Sequence, residues 1–379
     1  MLKIIFIFIL LLSSSCSTVG ASNYLKNKIS AESDNPNTQR SGISLTAKKF
    51  SNLPGWSERT LSEGFKAFHI SCELSLKRDG GYKIGGFAGY IYDWKEVCLK
   101  ARRLADVTSK IKTNDSAVVY KKFFEENFVP FKASENNVSE GLFTGYYVPE
   151  LRGSFSKTER YKYPLYKKPH GKLNYSRASI NSGVLNGKNL EIIYVDDMVD
   201  LFFLHIQGSG RIRLENGKIV NVGYDGQNGH GYNSIGRLLV EDGVFELEEV
   251  TAQKIKAWLR DNPKKMIKTL NRNPSYVFFK INKGKKVVGA QGLPLTPEGS
   301  LAVDKRFVPY GMPIWLDTEI NGGEKYQRLF VSQDTGGAIK GAVRGDIFFG
   351  FGKMAEKMAG EMRAVGEYYI LLPKNIAYR

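Results

Sequence analysis

SQDTGGAIKGAVRGDIFFGFG, residues 332–352, sets two aspartates, Asp334 and Asp346, among glycines that let a chain turn sharply. The apolar run RLFVSQ leads into Asp334, and Ile347, Phe348 and Phe349 follow Asp346. Both runs have the length and composition of short strands, so the stretch reads as strand, glycine loop, strand. The two acids then have two readings. As turn residues they bond local N–H groups, which is the common role of Asp beside Gly. As chemistry, the Gly336-Gly337 turn brings both carboxyls into one groove, where apolar surroundings and a neighbouring negative charge keep a proton on one of them.

Outward from this stretch the chain keeps the same character. GLFTGYYVPELRGSF, YKYPLY, LEIIYV, DLFFLHIQGSGRIRL, KIVNVGYDG, NPSYVFFK, GMPIWLD, QRLFVSQD and EYYILLP are short, β-favouring and punctuated by glycine. Helical spacing is expected in SERTLSEGFKAFHISCELS with Ser57 as its cap, in DWKEVCLKARRLADVTSKI, and in YKKFFEENFVPFKA. SIGRLLVEDG, LEEVTAQKIKAWLRDN and GKMAEKMAGEM complete the helices. Many short strands with glycine turns imply a mainly β protein with flanking helices, built as a barrel and not as a parallel α/β sheet.

The N-terminus MLKIIFIFILLLSSSCS is a secretory signal: one lysine, an apolar run from Ile4 to Leu12, then small residues up to Cys16. It is similar to bacterial lipoprotein signals, which are cut before a cysteine that receives lipid, so Cys16 is the expected lipidation site. Residues 17–50 are polar and aperiodic and read as a flexible tether. About 320 residues follow, enough for two domains. Cys72 and Cys98 either pair in the oxidising compartment or stay as buried thiols. The net charge of +17 calls for an anionic surface, either cell wall or lipid head groups, or serves solubility alone. Secretion argues against nucleic acid, and the lysines are scattered along the chain.

His69, His170, His205 and His230 are far apart in sequence, so a catalytic metal is not expected and no cofactor is implied. GSG at 208–210 lacks the surroundings of a serine nucleophile, and the GxG patterns do not open a helix after a strand. Carboxylates remain. Cleaving a glycosidic bond needs little more than one carboxylic acid that holds its proton at working pH.

The residues LAVDKRFVPYGMPIWLD, FVSQDTGGAIKG and RGDIFFGFG resemble a three-aspartate double-psi β-barrel segment, with Asp304, Asp334 and Asp346 as the three acids. Taken with GLFTGYYVPEL, FFLHIQGSGRI, GYDGQNGHGYNSIGRLL and NPSYVFFK, the chain after Leu53 resembles the membrane-bound lytic murein transglycosylase A family. The resemblance implies a discontinuous barrel domain (51–148 and 282–379), an inserted smaller β domain (149–281), and a groove between them that holds a peptidoglycan strand. It implies that Asp346 is the single catalytic acid, with Asp334 in support and Asp304 structural. Thr144, Gly145, Tyr146, Gln207 and Ser209 are expected along the groove, and Lys340 against a substrate carboxylate. Tyr146 and Tyr147 could equally pack at the domain junction.

In that family's reaction the C6 hydroxyl of muramic acid attacks its own anomeric carbon, so one acid is sufficient and a 1,6-anhydro end results. The implied setting is an outer-membrane lipoprotein facing the periplasm, with glycan strands, the membrane and other cell-wall enzymes as partners. Two other readings stay open at this point: a hydrolase in which a second carboxylate activates water, and a wall-binding protein without activity.

Overall fold

The computed structural model describes residues 42–109, 115–171, 174–247, 249–282, 284, 286–320 and 323–379. The signal sequence, Cys16 and the first part of the expected tether lie outside these residues. The tether ends earlier than expected. Ile43–Ala47 forms strand β1, paired antiparallel with β2 (Phe128–Glu135), so residues 43–47 belong to the fold. Its β-branched Ile43 and Thr46 suit an edge strand, a signal too short to stand out in polar sequence.

After β3 (Gly141–Val148) the chain leaves for a second sheet made of β4 (Glu150–Ser154), β5 (Tyr163–Tyr166), β6 (Glu191–Val195), β7 (Ser209–Leu214), β8 (Ile219–Gln227) and β9 (Val277–Asn282). It then returns as β10 (Ser300–Val303), β11 (Pro313–Ile320), β12 (Glu324–Asp334), β13 (Arg344–Phe351) and β14 (Arg363–Pro373). The first sheet runs β1-β2-β14-β11-β12-β10-β13-β3, and β3 also pairs with β14. That last pairing closes six strands, β14-β11-β12-β10-β13-β3, into a barrel with no free edge. Two of its pairings are parallel, β10 with β12 and β13 with β3. The protein is therefore mainly β, with a closed six-stranded barrel, a second six-stranded sheet ordered β5-β6-β4-β7-β8-β9, and flanking helices.

The barrel is filled by Leu301, Val303, Ile314, Leu316, Phe330, Ile347, Tyr368 and Ile370, all buried. Helices Ser62–Ser75, Ile91–Thr108 and Asp115–Asn127 cover it through an aromatic layer of Phe65, Phe68, Trp94, Phe123, Phe124 and Phe128. Cys72 and Cys98 are joined as a disulfide that ties the first two of these helices. Closing a loop of 26 residues contributes about 3.5 kcal/mol by restricting the unfolded chain. Among the described residues no helix is long and apolar enough to cross a membrane.

Three local expectations are corrected. Ser57 caps no α-helix: it precedes a single 3-10 turn, and the helix begins at Ser62 after Leu61. The stretch YKKFFEENFVPFKA is helical only to Asn127, because Pro130 lacks the N–H a helix interior needs and biases Val129 toward extended backbone; Phe128 onward is β2. DLFFLHIQGSGRIRL is not one strand. Met198–Gln207 is a helix, capped at its start by the Asp197 carboxylate, which accepts from Asp200 N at 2.9 Å, and stopped by Gly208 at φ 73°. The consecutive apolar residues Leu201–Leu204 show no helical period of their own, so only the Asp and Gly caps mark the helix.

Candidate active site

Strand alternation builds the site. In β13, Arg344 and Asp346 lie on one face and Gly345 and Ile347 on the other, which is the buried interior. Gly345 is required there: a Cβ would come within 2.9 Å of the Phe143 ring and 3.0 Å of Leu301. In parallel register, Asp346 pairs with Thr144 of β3, and Ala302 of β10 pairs with Asp346 on one side and Asp334 of β12 on the other. Asp334 and Asp346 thus occupy one rung, two strand spacings or roughly 10 Å apart at Cα.

Asp346 is half-buried. Thr144 Oγ1 donates to its Oδ1 at 2.5 Å, and Arg344 Nη2 donates to Thr144 Oγ1 at 2.8 Å. Beside it lies an apolar cluster of Tyr146, Val148, Ala302, Ile339 and Phe348, with Val287 and Leu295 packed on it. Burial in this setting pushes the Asp346 carboxyl above the ordinary carboxylate range, against the opposing pull of Arg344 and Thr144. With Oδ1 taken by a hydroxyl donor, Oδ2 is the oxygen left to carry a proton.

Asp334 stands differently. Its Oδ1 accepts from Ala290 N and Thr335 N, both at 2.9 Å, and its Oδ2 from Tyr146 OH at 2.8 Å. Burial raises its carboxyl too, the three donors oppose the rise, and the Asp346 charge adds to it. Three donors make Asp334 a clamp: it fixes the loop 286–295, whose Val287 and Leu295 pack on the apolar cluster, and holds Tyr146. The Tyr146 hydroxyl stays protonated, since burial and then the Asp334 charge lift it well above the ordinary range.

The other sequence candidates separate. Tyr146 is 8% exposed, with its ring packed on Phe348 at 5.2 Å, so its face is not open to a sugar. Gly145 is a packing position: a Cβ would meet the Phe349 ring at 2.4 Å and the Ala359 backbone at 2.9 Å. Gln207 accepts from Tyr147 N at 3.1 Å, which straps the second sheet's helix to β3. Ser209 is buried in β7, and Lys340 is exposed in the loop after Asp334. Asp304 is buried and bound twice by the Arg306 guanidinium, and it accepts from Gly341 N at 3.0 Å. Burial alone would raise its carboxyl, but Arg306 and the two backbone N–H groups hold it below the ordinary value. It pins the turn after β10 to the loop that precedes β13.

Two groups escaped the sequence reading. Arg344 had a signal, since a residue two before Asp346 on a strand shares its face. The junction network had none. Tyr147 OH donates to Glu356 Oε1 at 2.8 Å, and Lys256 Nζ reaches Glu356 at 2.9 Å and Asp200 at 3.3 Å. This links the helices Met198–Gln207 and Ala252–Asp261 to the barrel helix Lys353–Glu361. Among the histidines, His205 is buried beside Arg177, where burial and the guanidinium keep it neutral. Among the described residues no three His, Cys, Asp or Glu side chains stand together as metal ligands.

A closed barrel that presents a half-buried carboxylic acid, its affinity for a proton raised by burial, has a group suited to acid catalysis of glycosidic-bond cleavage. Comparison with known proteins narrows the class. Residues 142–280 match the model described as the MltA specific insert domain, and residues 299–372 match the 3D domain. Membrane-bound lytic murein transglycosylase A of Escherichia coli K12 is 35% identical over 246 residues, 62% of this chain and 67% of the relative. The Vibrio cholerae protein of the same name is 34% identical over 243 residues, 62% of this chain and 66% of the relative. The alignment thus spans about two thirds of these relatives.

The solved structures cover more. The Agrobacterium tumefaciens membrane-bound lytic murein transglycosylase superposes with a TM-score of 0.76 at 30% identity, over 89% of this chain and 99% of that one. MltA of E. coli with bound chitohexaose gives 0.68 at 25% identity, over 90% and 98%. The chain belongs to the lytic murein transglycosylase A family.

Proposed function

We propose that this protein cleaves the β-1,4 bond between N-acetylmuramic acid and N-acetylglucosamine in peptidoglycan, leaving 1,6-anhydromuramic acid ends. The reading is carried by one observation: of the two acids on the shared rung, Asp346 alone has a carboxyl oxygen not taken by a donor, while Asp334 is occupied on both. Asp346 Oδ2 gives its proton to the bridging oxygen, and the C1–O bond to the leaving glucosamine breaks. The C6 hydroxyl of the muramic residue then closes on C1, and its proton passes to the Asp346 carboxylate. The acid ends as it began and no water is consumed. Chitohexaose in the E. coli relative supports a chain of β-1,4-linked N-acetylated sugars as the ligand class.

Purified protein incubated with peptidoglycan should release muropeptides one water lighter than the reducing-end products of a hydrolase, as read by mass spectrometry. Reducing ends would support the two-carboxylate hydrolase. Sedimentation with the polymer without clearing of its suspension would support a binding protein.

The lipoprotein-type signal supports attachment of lipid at Cys16 and residence on the periplasmic face of the outer membrane, Ser17 not being the aspartate associated with inner-membrane retention. The relatives' names, which call them membrane-bound, support the membrane part of this. Cys16→Ala should leave the protein unprocessed or soluble on fractionation. Its recovery in the outer membrane at the normal level, with a mature N-terminus, would contradict the assignment.

A further inference from the structure

We infer that Arg344 is a positioning residue for Asp346: its guanidinium fixes the Thr144 hydroxyl that donates to the acid and keeps a permanent positive charge behind that acid. This rests on the proposed transglycosylase reading and adds to it a residue that governs when the acid can reverse its role.

The geometry comes from the strand. Arg344 lies two residues before Asp346 on the same face of β13, and its Nη2 donates to Thr144 Oγ1 at 2.8 Å. Its Nη1 donates to Leu142 O at 3.3 Å and to Gly345 O, so the guanidinium is anchored to backbone on both β3 and β13. A hydroxyl can point its hydrogen in several directions. The N–H from Arg344 occupies a lone pair of Thr144, which leaves the Thr144 hydrogen to Asp346 Oδ1 at 2.5 Å.

The charge has its own consequence. Asp346 must hold a proton to begin the reaction and must exist as a carboxylate to accept the C6 proton. Burial favours the protonated form, and without a counterweight the acid would be a poor proton donor. Arg344 is that counterweight. Among the described residues the other polar groups beside the acid on its neighbouring strands are the hydroxyls of Thr144 and Tyr146 on β3, the latter committed to Asp334; Ala302 of β10 is apolar. Arg363 of β14 stands in register with Thr144 and is exposed. Guanidinium charge is fixed across the working range, so any shift with pH belongs to the carboxyls.

The test is the pH dependence of kcat/KM on soluble glycan oligomers for wild type, Arg344→Gln, Arg344→Lys and Asp346→Asn, each with a melting curve. Arg344→Gln should move the alkaline limb up by about one pH unit and lower the rate at the optimum about tenfold. Arg344→Lys keeps the charge but not the two-sided fork, so its limb should stay at the wild-type position while its rate falls. An Arg344→Gln limb that coincides with wild type overturns the inference, as does an equal shift in both variants. If Arg344→Gln does not fold, Arg344→Lys alone decides it: a displaced limb or an undiminished rate overturns the role. An active Asp346→Asn would instead sink the transglycosylase reading itself, so the two failures are distinguishable.

Discussion

Asp346→Asn should lose about two to four decades of cleavage rate while still sedimenting with peptidoglycan. Asn keeps the size of the side chain and can still accept from Thr144, so the Thr144 hydrogen bond at 2.5 Å has a successor and the fold is not disturbed. What disappears is the transferable proton. The same variant should melt at a higher temperature than wild type near neutral pH. The folded-state pKa of Asp346 lies above its unfolded value because burial disfavours the carboxylate. Its contribution to stability is therefore full below the unfolded pKa and is lost as pH rises through the folded one. An amide has no such loss, so the advantage of Asp346→Asn should be largest at neutral pH and shrink on acidification toward pH 4. A well-folded, active Asp346→Asn would remove the mechanism.

Asp334→Ala should act through the scaffold, with a lower melting temperature and a rate reduced about ten- to hundredfold. The substitution removes the acceptor of Ala290 N, Thr335 N and Tyr146 OH at once. Ala290 is exposed and can turn to water, but Tyr146 is buried, and a buried donor left without a partner costs about 1–3 kcal/mol. The loop 286–295 and the Tyr146 ring, packed on the cluster beside Asp346, should then loosen together. Asp334→Asn keeps an oxygen for the two N–H groups and should fall between wild type and Asp334→Ala in both melting temperature and rate. Melting curves paired with release of anhydro muropeptides check the ordering. Should Asp334→Asn prove inactive, fully folded and still able to bind the polymer, the acid would have to be moved to Asp334.

Part of this protein is determined locally and can be read in the chain. The glycine-broken β runs gave a barrel because strand propensity and turn chemistry depend on neighbours only a few residues away. The acids stood out because Asp within apolar, glycine-rich sequence is unusual unless it caps a turn or does chemistry. Helix Met198–Gln207 reads as strand because its consecutive apolar run Leu201–Leu204 shows no helical period, although the Asp197 and Gly208 caps stand in the sequence. The disulfide could not be chosen over two thiols, since pairing depends on how two helices cross.

What only the tertiary structure decided is which acid is free. Thr144 and Asp346 are 202 residues apart, and Tyr146 and Asp334 are 188 apart, so no local pattern says which hydroxyl meets which carboxyl. That follows from the register of β3 on β13 and of β10 on β12. A shift of one residue in either would turn every side chain of that strand to the opposite face. The sequence supplied two aspartates beside glycines. Barrel closure by β3 against β14 left one of them bound by three donors and the other with an oxygen open to a proton, because closure fixes strand register and register fixes partners.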